Sequence, residues 1–88
     1  MSNPIARESL YQGALDAFGK GRMLAPREEH FALDLGYTYD ALNRYSEGEW
    51  MFDEALALDP KSTSVKEAYE AHLGRWRKST AELSAAKP

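Results

Sequence analysis

The sequence predicts an all-α domain of about four helices. Three observations predict it. Apolar residues recur at three- and four-residue spacings along four stretches of the chain, the mark of a helix with one buried face. Turn-forming residues punctuate the chain at Pro4, Pro26, Asn43-Arg44 and Asp59-Pro60, and no proline interrupts the stretches between them. Alternation of apolar and polar residues never persists beyond three or four positions, so no strand is expected.

The first helix is expected from about Pro4 to Arg22. Asn3 suits the N-cap, and Pro4 suits the first helical position, where a missing N–H costs nothing. Ile5, Leu10, Tyr11, Ala14, Leu15 and Phe18 recur at helical spacing. Gly19 and Gly21 weaken the last turn. The second helix is expected from about Arg27 to Leu42, opened by Pro26, with Glu28 and Glu29 favourable in its first turn. Its apolar face is Phe31, Ala32, Leu35, Tyr39 and Leu42. After the short Asn43-Arg44 turn, the third helix is expected over Tyr45 to Leu58, with Trp50 or Met51, Phe52, Ala55 and Leu58 inward. Pro60 disfavours a helical conformation at Asp59 and stops it. The fourth is expected over Thr63 to Ser79, capped by Ser62 or Ser64, with Val65, Tyr69, Leu73 and Trp76 as its buried stripe. The Ala- and Ser-rich residues 80–88 are expected to fray.

Composition narrows the function. Eighty-eight residues make one domain. With 43% hydrophobic and 11% aromatic residues, the chain is not of the disordered class. It has no cysteine, which excludes disulfides, thiolate metal sites and a cysteine nucleophile. The start of the chain lacks the pattern of a secretory signal, so a cytoplasmic protein is expected. The net charge of -3 conceals a pattern. Residues 1–27 carry +2, residues 28–59 carry -8 and residues 60–88 carry +3. Nucleic acid is therefore not an expected ligand, because phosphates require a contiguous basic face. The pattern suits a basic partner, or the ends of one copy meeting the middle of another.

Compared with itself at a shift of 34 residues, the chain aligns Tyr11 with Tyr45, Phe18 with Phe52, Leu24 with Leu58 and Pro26 with Pro60. Ala14 falls on Gly48 and Gly21 on Ala55. Within Glu29 to Ser62 stand Ala32, Leu35-Gly36, Tyr39, Gly48, Phe52, Ala55, Leu58 and Pro60. This ladder resembles the tetratricopeptide repeat, a helix pair of about 34 residues with small, aromatic and proline residues at fixed offsets. The resemblance implies an α-α superhelix. A half repeat would cover residues 4–26, a full repeat 27–60 and a capping helix 62–79, all within one domain over 1–79. It implies a protein-binding scaffold or adaptor with no catalytic role. The rival expectations are a self-assembling module and a non-catalytic part of a larger repeat protein or chaperone.

The resemblance also implies a concave groove lined by the second and fourth helices. Carried onto this sequence, the groove residues are His30, Leu33, Asp34, Tyr37, Asp40 and Ala41, facing Ser64, Glu67, Ala68, Ala71 and Arg75. Three carboxylates beside an aromatic ring suit a peptide with Lys or Arg next to an apolar side chain. The Lys, Arg and Asn set that grips chaperone tails in part of this family is absent from the second helix, so that ligand is not expected. The first helix is apolar on two sides, and Leu10, Tyr11, Leu15 and Phe18 form a candidate face for a homodimer.

Other chemistry has little support. His30 and Asp34 share a helix face, but two ligands are too few for a metal, and none is expected. His72 reads as a packing residue beside Leu73. No serine has a nucleophile-elbow context and no phosphate-binding loop occurs, so neither an active site nor a cofactor is expected. Membrane contact through Arg75-Trp76-Arg77-Lys78 is also not expected, since one core tryptophan flanked by charge accounts for that stretch.

Overall fold

The computed structural model describes residues 4–86, and the side chains of 7–84. Four helices follow one another: α1 (Pro4–Leu24), α2 (Glu29–Ala41), α3 (Tyr45–Leu58) and α4 (Thr63–Ala86). No strand occurs among the described residues. No helix among the described residues is long and apolar enough to cross a membrane. The Asn3 cap lies outside the described residues.

Each connection follows from local chemistry. Pro26 does not open α2. It sits inside a turn closed by Glu28 N–H donating to the Ala25 carbonyl at 3.1 Å, a place that favours its fixed φ. The chain enters α2 through Glu28 in an extended conformation. Asn43 closes α2 with a φ of 62°, the left-handed region. Arg44 N–H donates to the Tyr39 carbonyl (2.8 Å) and Asn43 N–H to the Asp40 carbonyl (3.0 Å). These two bonds are a Schellman closure, in which Asn is the usual substitute for Gly. The Ser62 hydroxyl accepts from Val65 N–H at 3.2 Å and caps α4.

The helices turn back on one another. Gly36 meets Phe52 and Asp40 meets Gly48, so α2 and α3 run antiparallel. A Cβ on Gly36 would lie 2.8 Å from the Phe52 ring, and one on Gly48 would lie 2.5 Å from an Asp40 carboxylate oxygen. These two positions must be bare for the pair to close. Contacts between α2 and α4 follow a different rule. Ala32 clusters with Val65 and, further along, Asp40 reaches His72 and Arg75, partners 32 and 35 positions on, so α2 and α4 run parallel. Ala32 and Val65 share the buried cluster with Ala55. The Arg22–Glu54 ion pair, also 32 positions apart, joins α1 to α3. Neighbouring positions are thus separated by nearly the repeat length.

Several expectations change. The buried stripe of α4 is Val65, Ala68 and His72, while Tyr69, Leu73 and Trp76 are half-buried. The small Ala68 lets this face turn toward the rest of the bundle, one step from the expected one. Trp50 is 74% exposed and Leu58 also reaches solvent. Trp50 lies two positions from both Gly48 and Phe52, on the opposite side of α3. Residues 80–86 continue α4 beyond its expected end at Ser79, as Ala81, Glu82, Leu83 and Ala85 favour helix and no Gly or Pro intervenes. Lys87 and Pro88 lie outside the described residues. The 24 residues of α4 reach about 36 Å, well past the 14 residues of α3.

Gly48 and Gly74 should respond oppositely to alanine. Nothing lies within 4 Å of a Cβ at Gly74. Gly74→Ala should raise stability in urea unfolding by about 0.5–1 kcal/mol through helix propensity. Gly48→Ala should lower it by about 1–3 kcal/mol by overpacking against Asp40.

Candidate functional site

A carboxylate is the centre of the site. Asp40, on the last turn of α2, keeps only 2% of its side chain exposed. Burying a charge requires partners, and α4 supplies them. His72 Nδ1 lies 2.8 and 2.9 Å from the two Asp40 oxygens. Arg75 Nε and Nη2 donate to Oδ2 at 3.0 and 2.7 Å. Since a carboxylate only accepts, His72 carries its proton on Nδ1. Its Nε2 is buried with no hydrogen-bond partner among the described residues. The ring is packed among Phe52, Trp76, Tyr69 and Tyr45, at centroid distances of 4.8, 5.8, 6.0 and 6.5 Å.

The same arginine reaches the surface. Arg75 keeps 39% of its side chain exposed and lies over the Tyr37 ring, 5.6 Å from its centroid. Tyr37 meets Phe52 edge-on at 5.2 Å and is 45% exposed. Tyr37 is therefore held at its edge and covered on one face, with the rest of the ring open.

Among the expected groove residues, the structure brings together Tyr37, Asp40 and Arg75. Asp40 corrects one expectation: it is not a groove carboxylate, because Arg75 and His72 consume it. Leu33 packs against the core cluster, and Ala68 lies within the buried face of α4. Asp34 is half-buried, and its carbonyl accepts from the Thr38 hydroxyl at 2.7 Å. Glu67 is exposed. His30 is exposed too, its ring 4.0 Å from Phe31 and 3.7 Å from the Glu28 carboxylate. It stands outside the Asp40 cluster. Among the described residues no three His, Asp or Glu side chains group as metal ligands.

The face expected for a homodimer is divided. Leu15 is buried within the chain, Tyr11 and Phe18 are half-buried, and only Leu10 stands open at 74% exposure. Leu15 lies on the flank of α1 that packs on α2, so one side of the amphipathic helix is already used. His72 is the member of the Asp40 cluster that its spacing concealed. The available signal was its place 32 residues after Asp40, close to one repeat.

Outside this cluster, Arg22 holds the Glu54 carboxyl below its ordinary value by hydrogen bonding, more than burial raises it. The Tyr69 phenol, which donates to Glu49 at 3.2 Å, is pushed up to about 12, first by burial and then by Asp53 and Glu49. Comparisons with protein-family models, curated proteins and solved structures return no match.

Two sets of predictions follow from these contacts. Asp40→Ala should cost about 3 kcal/mol in denaturant unfolding, because it breaks a buried charged cluster. His72→Phe should cost less, since Asp40 retains Arg75. For Glu54, the lowered folded value means stability that is present above the ordinary carboxylate range and lost as pH falls through the folded value. Glu54→Gln should flatten that acid limb. For Tyr69 the sign reverses: its contribution holds below the ordinary phenol value and is lost as pH rises toward about 12. Tyrosinate absorbance should therefore show a late-ionising phenol that Tyr69→Phe removes.

Proposed function

We propose that the protein is a helical-repeat binding module of the tetratricopeptide type. It holds an extended segment of a partner protein along α2 and α4 and catalyses no reaction on it. Tyr37 is the observation that carries this reading: an aromatic ring fixed by Phe52 and Arg75, yet open on the surface where α2 and α4 run side by side. A ring fixed before binding loses little freedom when a ligand stacks on it.

Charge selects the ligand. Arg75 and Asp40 offset each other, which leaves Asp34 and Glu67 as the carboxylates of this face. The best ligand is a segment with Lys or Arg beside an apolar side chain. The cation meets the carboxylates and the apolar group meets Tyr37. The acidic stretch 28–59 supports a basic partner and opposes nucleic acid. The Asp40–His72 pair has the composition of a catalytic dyad, but its histidine is fully buried among rings and out of a substrate's reach. That supports binding rather than catalysis.

A peptide array provides the test. The wild-type chain should retain peptides that place Lys or Arg beside Leu or Phe, and should lose them when the basic residue becomes Glu. Tyr37→Ala and Asp34→Lys should each weaken retention by about tenfold or more, as for removal of a binding hot spot. Retention that ignores peptide charge, or that both variants leave intact, would remove the proposal.

A further inference from the structure

The Asp40 carboxylate is shared by two bases that differ in their access to water. His72 is wholly buried, whereas Arg75 keeps 39% of its side chain exposed. Both use one oxygen: Oδ2 lies 2.9 Å from His72 Nδ1 and accepts from Arg75 Nε and Nη2 at 3.0 and 2.7 Å. While the imidazole carries a single proton, on Nδ1, the cluster balances, with one carboxylate against one guanidinium.

A second proton upsets that balance. Its place is Nε2, which has no hydrogen-bond partner among the described residues. The cluster then holds two cations against one anion in a low-dielectric interior. The polar groups facing the ring decide how the excess is relieved. Asp40 comes from α2, Tyr45 from α3, and Tyr69 and Arg75 from α4. Tyr45 donates to Asn43 and Tyr69 to Glu49, so neither phenol brings a charge to the imidazole. Asp40 is the one anion in this set, and both cations compete for it. His72 has no path to water, enclosed as it is by Phe52, Trp76 and the two tyrosine rings. Arg75 already stands partly in solvent, so it is the base that gives way.

We propose that a proton on His72 releases Arg75 from Asp40, and that the freed guanidinium turns the Tyr37 face against basic segments. This regulation rests on the groove reading above. In the balanced cluster, Arg75 is neutralised and covers one face of Tyr37. Once released, it brings an uncompensated positive charge to the face that holds Asp34 and Glu67. Tyr37 also loses one of the two contacts that fix it, keeping only Phe52. Histidine is the side chain whose charge ordinarily changes between about pH 5 and about pH 8, so mild acid is the trigger.

Two measurements on the full chain test the switch. The first is retention of a Lys-Leu peptide, with His30→Gln as the background to remove the only other histidine. Retention should fall by about fivefold or more between about pH 7.5 and about pH 5.5. Adding His72→Phe should leave it nearly level over that range. The second is NMR of the wild-type chain, which needs no core substitution. The Arg75 Nε–H signal, set by its bond to Asp40, should move to the position of a free guanidinium in step with the His72 ring signals. An Arg75 signal that stays fixed while His72 gains its proton would overturn the proposal. So would a His72 ring that stays neutral until the chain unfolds, or an equal fall in retention with His72→Phe. A chain that retains no basic peptide at neutral pH would sink the groove reading instead, and the Arg75 signal would still decide the switch.

Discussion

The buried carboxylate of Asp40 sets the position of α4. It lies against bare Gly48 on α3, receives Arg75 and His72 from α4, and belongs to α2, so three helices meet at one side chain. Apolar packing among Ala32, Ala55 and Val65 draws these helices together, but small smooth side chains specify angle and register weakly. A charge with two directional partners specifies both. If α4 slipped by one residue, Asp40 would lose its donors inside a low-dielectric interior. The register of α4 against α2 depends on that constraint.

The surface inherits its order from the same group. Arg75 is turned by Asp40, and Tyr37 is covered by Arg75, so an exposed aromatic ring is oriented by a residue with almost no exposure of its own. His72 completes the chain of contacts from inside.

Much of the fold was legible in the residues. The end of α3 and the start of α4 follow from Asp59-Pro60-Lys61-Ser62, where the stop and the cap are both local chemistry. The close approach of Gly36 to Phe52 was legible in the tetratricopeptide-like offsets within Glu29 to Ser62, where a bare glycine stands opposite an aromatic ring. Asp40 was not legible. A carboxylate at the edge of a helical face looks solvated until the residue opposite is known, and that residue is 32 positions away. Trp50 misled for another reason: its size suggested burial, while its place two residues from both Gly48 and Phe52 turned it to the opposite side of the helix. The tail was misjudged by its place at the end of the chain, although its alanines favour helix.

The Asp40–His72 pairing also makes the stacking of units directional. Thirty-four residues along from Asp40 stands Gly74, and thirty-four before His72 stands Thr38. A duplicated copy of residues 29–62, spliced in ahead of α4, would set Thr38 against Asp40, with neither the imidazole nor the guanidinium that the acid requires. Lengthening this scaffold by simple duplication would therefore strand an anion at the new junction. Each added unit would need its own matched pair, so the order of the modules is written into their interiors.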